Sequence, residues 1–490
     1  MKKLILPLLI FFISTAHAQK NAFFDQAFWK SSPNVEAVKA KIAEGNSPVE
    51  SNPNGFDAVV YAINSDAPIE TIKFLLSYKE NSPNKITHDS RTYIFWAANK
   101  GNLEVMKLLL DNGAKVNIVD SKGLSPLNFA ASAGQTNTLV YDLLIKNGAD
   151  LKNELSHDGA NALLLSASGD TNMVLINYFI SKGLKFSSAD KNGNTVLNYA
   201  LRSGNKNYIR TLLQKGAKFN NSIVMATQSA RGREANKLDF YRFLVEEVKI
   251  DPTTSGLNGE TALHNICRRP GNIEEIKYFI SKGLDVNKTD KDGNTAFMFA
   301  AASADISTIE FLKDFIKDIN QKNSEGYSAL TYAVKNNKAE VVKYLLNKGA
   351  DSKVTDIKNN NLAGELIKSF SPSKEKEFLE KMQLLETAGV NFNLPQAEGN
   401  TLYHIAIVKE NLSLLKSLEH FNININAKNK DGFTVLHKAA MLATNDEILK
   451  YLISQKADKN IATEMNESVY DLAVENETLK KNKISLEFLK

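Results

Sequence analysis

The chain reads as an all-α solenoid of about 12 helix-turn-helix repeats joined by hairpin-like turns, and three observations predict this. A stretch such as 323–355, NSEGYSALTYAVKNNKAEVVKYLLNKGADSKVT, recurs in variant form along nearly the whole sequence. Glycines that would end a helix, Gly113, Gly148, Gly183, Gly216, Gly283, Gly349 and Gly389, are separated by 35, 35, 33, 67, 66 and 40 residues. A second series, Gly123, Gly159, Gly193, Gly259, Gly293, Gly326, Gly399 and Gly432, falls in the preceding turns and keeps the same period.

Within one unit, Ser328 can accept a hydrogen bond from an amide that the first helical turn leaves open, so a helix starts there. Ala329, Leu330, Ala333 and Val334 give it a slim apolar stripe. After Asn336 and Asn337, the residues Val341, Val342, Tyr344, Leu345 and Leu346 form a bulkier stripe that ends at Gly349, which turns left-handed at little cost. Two such helices cannot cover their own apolar faces, so the unit needs a copy on each side. The two long gaps are each two periods of about 33 residues, which predicts degraded copies near 223–251 and 290–320.

A unit of this length, with T-P-L-H-x-A opening the first helix and G-A closing the second, resembles the ankyrin repeat. The residues that carry the resemblance are Ser125-Pro126-Leu127 with Ala130-Ala131, Thr261-Ala262-Leu263-His264, Thr401-Leu402-Tyr403-His404, and Thr434-Val435-Leu436-His437 with Ala439-Ala440. Gly-Ala pairs stand at 113–114, 148–149, 216–217 and 349–350, and the match spans 54–461. Proline survives only at Pro126, and histidine gives way to Asn128, Asn198, Met298 and Thr331, departures that bear on the stability of single repeats.

In chain order, residues 1–18, MKKLILPLLIFFISTAHA, carry two lysines, an apolar run from Leu4 to Ile13 and a small-residue ending, the pattern of a signal peptide cut between Ala18 and Gln19. The run is too short to span a bilayer, which takes about 20 residues. The mature chain is therefore expected to be periplasmic or secreted, without a membrane span. Residues 19–53, with Phe23, Phe24, Phe28 and Trp29, read as an N-terminal helical cap of two helices broken near Pro33. Repeats occupy 54–463, and 464–490 read as a capping repeat ending in a helix over 484–489. The copy at 356–395 is lengthened, and a loop with an extended second helix starting at Ser371-Pro372-Ser373 is expected there. Cys267 is the single cysteine and falls where a small buried residue belongs, so no intramolecular disulfide forms.

No phosphate loop, H-E-x-x-H, paired C-x-x-C or G-x-S-x-G occurs, and a non-catalytic protein without cofactor or metal is expected. His264, His404 and His437 occupy the motif position whose ring bonds neighbouring turn backbone in the family this chain resembles. Asp190, Asp290 and Asp356 stand at turn starts, where a carboxylate satisfies local amides. The formal charge is +5, and removal of Lys2 and Lys3 leaves 58 basic against 55 acidic residues, too weak a field for sequence-independent nucleic-acid binding.

What remains is binding, and the resemblance implies a concave groove lined by turn tips and first helices. Two features fall on it. One is a row of rings at a single motif position: Tyr61, Trp96, Phe129, Tyr199, Phe299 and Tyr332, which can serve either as packing between repeats or as contact anchors. The other is arginine: seven of the eight lie between Arg202 and Arg269, and Arg202, Arg231, Arg233, Arg268 and Arg269 all follow the end of a first helix. Guanidinium forks grip carboxylate or phosphate, which points to an acidic partner. The expectation is a monomeric protein-interaction scaffold of the cell envelope, with a secreted effector acting on a host protein, or an accessory or inhibitor of one envelope enzyme, as alternatives.

Overall fold

A computed structural model describes residues 21–220, 222–228 and 234–490; the expected signal peptide and its cut at Ala18/Gln19 lie outside the described residues. Helices are the regular elements of the described residues, and some of the hairpin-like turns between them are closed by isolated bridges such as Ala189 to Thr195 and Thr289 to Thr295. The chain forms two compact units, Met1–Asn220 with Ser229–Asn236, and Asn221–Gln228 with Lys237–Lys490. Among the described residues no helix is long and apolar enough to cross a membrane.

In the first unit, the helices Gln26–Lys30 and Val35–Ala43 precede five repeat pairs, from Ala58–Asn64 with Ile69–Leu76 to Val196–Ala200 with Lys206–Gln214. In the second, seven pairs run from Val224–Thr227 with Leu238–Arg242 to Val435–Leu442 with Glu447–Ser454, followed by Val469–Glu475 and Glu477–Lys481. The copy expected over 290–320 is an ordinary pair, Ala296–Ser303 and Ile306–Lys313. The copy over 223–251 is distorted: Ile223 stands at the cap of a single-turn helix and makes no side-chain cap bond, and the second helix widens into a π-helical turn at Phe243–Glu247. The lengthened copy carries a second helix of 13 residues, Glu375–Thr387. The helix expected over 484–489 is displaced. The lysine-rich helix is Glu477–Lys481, started by the Asn476 side chain, and only a 3-10 turn forms at Glu487–Leu489.

Local chemistry explains the regularity. Asp57, Ser125, Asn161, Thr295 and Ser328 each accept a backbone N–H from inside the helix they open. The turn aspartates bind their own loops: Asp290 accepts from the amides of Asp292 at 3.0 Å and Asn294 at 2.8 Å, and Asp190 and Asp356 repeat the pattern. Several turns also bond the next copy. Lys191 N–H donates to Asp158 O at 2.8 Å, Lys291 to Asn258 at 2.7 Å, Ser324 to Asp292 at 2.8 Å and Ile357 to Glu325 at 3.0 Å. Gly326 shows how close this approach is. Its φ is +81°, and a Cβ there would lie 2.9 Å from Asp356 Cα.

The motif histidines are clamps between repeats. Nδ1 of His264 accepts the Thr261 N–H at 3.0 Å, which leaves the proton on Nε2 to be donated to Asn294 O at 3.0 Å in the next turn. His404 reaches Phe433 O at 2.9 Å, and His437 reaches Ile461 O at 2.8 Å in the same way. All three rings are buried, and that burial holds each pKa below the ordinary 6.5 by disfavouring the imidazolium. Cys267 is likewise buried, its thiol pushed up to about 12 by desolvation.

Because the unfolded chain protonates these imidazoles more readily than the folded one, their contribution is complete above the unfolded pKa and is lost as pH falls from there towards the folded values. Stability is therefore expected to drop as pH falls below about 6.5. A His264→Asn/His404→Asn/His437→Asn variant, with the residue that already serves at Asn198, should show a shallower drop in thermal melts below that pH. Equal slopes would contradict the clamp.

Candidate partner-binding surface

The first helices and the turns before them carry both groups of residues expected to bind a partner. Trp96, Phe129, Tyr199 and Phe299 are buried between repeats, whereas Tyr61 and Tyr332 are half-buried. The rings meet their neighbours edge-on, Trp96 to Phe129 at 5.9 Å and Phe299 to Tyr332 at 6.2 Å between centroids. Polar tips are tied to the preceding turn: Trp96 Nε1 donates to Thr87 Oγ1 at 2.9 Å, Tyr199 OH to Asp190 at 3.0 Å and Tyr332 OH to Asn294 at 2.9 Å. A ring at this position therefore packs between repeats first and faces the groove only at its margin.

The arginines divide. Arg231 and Arg233 lie outside the described residues. In the second unit, Arg268 is exposed and lays its guanidinium 3.4 Å from the centroid of Phe299. Arg269 is half-buried and donates to Thr227 O at 3.0 Å, so it braces the distorted repeat from the next one. In the first unit, Arg202 is half-buried, and desolvation lowers its guanidinium pKa.

Arg202 joins Tyr61, Trp96 and Phe129 in lining one cavity of about 1130 Å³ in the first unit. The same cavity is walled by Gln26 and Lys30 of the N-terminal segment and by Phe56, His88, Asp89, Arg91 and Lys122. Its base is Arg91, only 4% exposed, which sequence reasoning passed over. The Arg91 guanidinium lies 4.2 Å from the Phe129 centroid and 5.4 Å from that of Trp96, while its edge donates to Asp120 at 2.7 and 2.9 Å and pairs with Asp89 at 3.1 Å. Burial alone would raise the Asp89 carboxyl, but Lys122, Arg91 and His88 together hold it below the usual carboxylate range. Phe56 stacks on the His88 ring at 4.7 Å. A signal for Arg91 existed. It stands where other copies place Leu124, Asn194, Asn294 or Asn360, and the next turn's aspartate, Asp120, is one period on.

The family model described as ankyrin repeats (3 copies) matches residues 27–120, 59–152, 127–223, 228–323, 267–356 and 373–463. The chain belongs to the ankyrin repeat family. Ankyrin repeats are in general protein-binding modules. The chain is similar to human transient receptor potential cation channel subfamily A member 1, at 26% identity over 65% of this chain and 30% of that protein. It also resembles alpha-latroinsectotoxin-Lt1a of Latrodectus tredecimguttatus, at 26% identity over 67% of this chain and 24% of the toxin. A putative ankyrin repeat protein, L371, of Acanthamoeba polyphaga mimivirus is 24% identical over 49% of this chain and 31% of its own length. The chain thus spans about a quarter to a third of these relatives, and the likeness is of repeats.

Removing Arg91 would strand Asp120, whose carboxylate is fully buried, beside Asp89. Arg91→Ala is expected to destabilise the first unit by about 3–5 kcal/mol, the usual cost of breaking a buried pair on one side. Both tryptophans of the chain, Trp29 and Trp96, lie in that unit, so denaturant melts followed by tryptophan emission report on it selectively. A change under about 1 kcal/mol would contradict the assignment.

Proposed function

We propose that the protein is a scaffold exported to the cell envelope, which grips an acidic protein partner on the face made by its first helices and turn tips. The observation that carries this reading is the seating of cations on rings along that face. Arg268 rests on Phe299 yet stays exposed, so its fork is held in one orientation at low entropic cost to a binding carboxylate. Export is supported by the charge, apolar run and small-residue ending of residues 1–18.

The test has two parts. The intact mass of protein recovered from the producer's envelope fraction should correspond to a chain beginning at Gln19; a chain retained in the cytoplasm with Met1 in place would overturn the export. Affinity capture with the mature chain should enrich a dominant protein, and Arg268→Ala should reduce its retention at least tenfold. Arg269 is left intact because it braces Thr227. Unchanged retention with Arg268→Ala would rule out this face as the gripping surface, and enrichment only from host material would move the protein to the effector class.

A further inference from the structure

Besides the arginine on Phe299, the first unit holds a built cavity for which neither the family likeness nor the arginine cluster supplies an occupant. We propose that the cavity between the N-terminal helix Gln26–Lys30 and the first three repeats is a docking site for an extended acidic peptide segment that carries an aromatic or large aliphatic side chain beside its carboxylates. The proposal rests on the scaffold reading and adds the site and the chemistry of what it takes.

Three properties select that occupant. The first is size: at about 1130 Å³ the cavity exceeds the roughly 300–1,000 Å³ typical of small-molecule pockets, so it suits a stretch of polypeptide. The second is charge. Lys30, Arg91 and Lys122 line the cavity together with Asp89, the one carboxylate in the described lining. Asp120, beneath the lining, takes the inner edge of Arg91, so an excess of positive charge remains for a ligand. The cations also differ in role. Arg91 is locked by two aspartates and acts as a rigid shelf, whereas Lys122, which pairs with Asp89 at 3.2 Å, keeps a side chain 65% exposed and Lys30 is exposed, so both can reach an incoming carboxylate. The third is the wall. Phe56 and Tyr61 are half-buried, with ring centroids 6.1 Å apart, and Phe56 lies 5.6 Å from Trp96. They offer ring edges and faces to an apolar side chain that must desolvate next to the charges, the mixture found at interface hot spots. Because Gln26 and Lys30 come from the segment ahead of the first repeat, the site depends on that segment and is not a general property of the repeat array.

The experiment is selection of a random peptide library on the intact mature protein, followed by affinity measurement of the enriched peptides. Enriched sequences should combine aspartate or glutamate with an aromatic or large aliphatic residue. Their binding should weaken at least tenfold in Lys30→Glu/Lys122→Glu, and should stay within twofold of wild type in Lys353→Glu/Lys376→Glu, an equal charge change at exposed lysines of the second unit. Neutral or basic enriched peptides, no enrichment, affinity indifferent to the Lys30/Lys122 reversal, or tighter binding of a short oligothymidylate would each overturn the proposal. Capture of a partner that still depends on Arg268 would leave the scaffold reading standing when this site fails.

Discussion

The structure depends on hydrogen bonds that cross from one repeat turn to the next. A pair of short helices buries too little apolar surface to stand alone, and each helix start leaves amides that need partners. The turn solves both problems. Its aspartate or asparagine closes the loop onto its own backbone, and the loop then bonds a carbonyl in the preceding copy, as Lys291 does with Asn258 and Lys430 with Glu398. Where histidine is present, the ring adds a second tie, from the start of its own first helix to the following turn. At Gly326 the turn needs a left-handed glycine because a Cβ would enter the neighbouring backbone.

This arrangement decides what the first-helix face can do. Side chains at the ring position are held between copies, so Trp96 and Phe129 are nearly enclosed, and exposed chemistry passes to residues that lie over or beside them. Arg268 on Phe299 and Arg91 on Phe129 share the stacked geometry with opposite outcomes. Arg268 remains exposed, whereas two aspartates consume the donors of Arg91 and leave the outward charge to Lys122. A repeat array can thus vary its binding chemistry without altering the ties that hold it together.

The period, the helix starts and the helix ends were legible because each has a strong local cause: a capping side chain, an apolar stripe and a glycine at positive φ. Even the weak copy at 290–320 follows from spacing alone. Local cues failed where two of them competed. A helix was expected over 484–489, but the Asn476 cap starts it earlier and Lys483 then turns left-handed, at φ +53°. The site was only partly legible. The ring row and Arg202 were named from the sequence, and the structure lays Tyr61, Trp96, Phe129 and Arg202 along one cavity, yet sequence does not separate rings that pack between repeats from rings that stay half-buried. Arg91 was missed because its meaning comes from Asp120, one repeat away, and Lys30 because its segment lies outside the repeat pattern.

The ties between turns hold each copy to the next, and hydrogen exchange measures them directly. The amides of Lys191, Lys291, Ser324, Ile357 and Lys430, all in turns, should exchange as slowly as those inside the adjoining first helices, since opening one requires parting two repeats. Exchange at the rate of an unstructured loop, while the helices remain protected, would show that the copies are held by apolar packing alone and would contradict the role of the turns as ties between repeats.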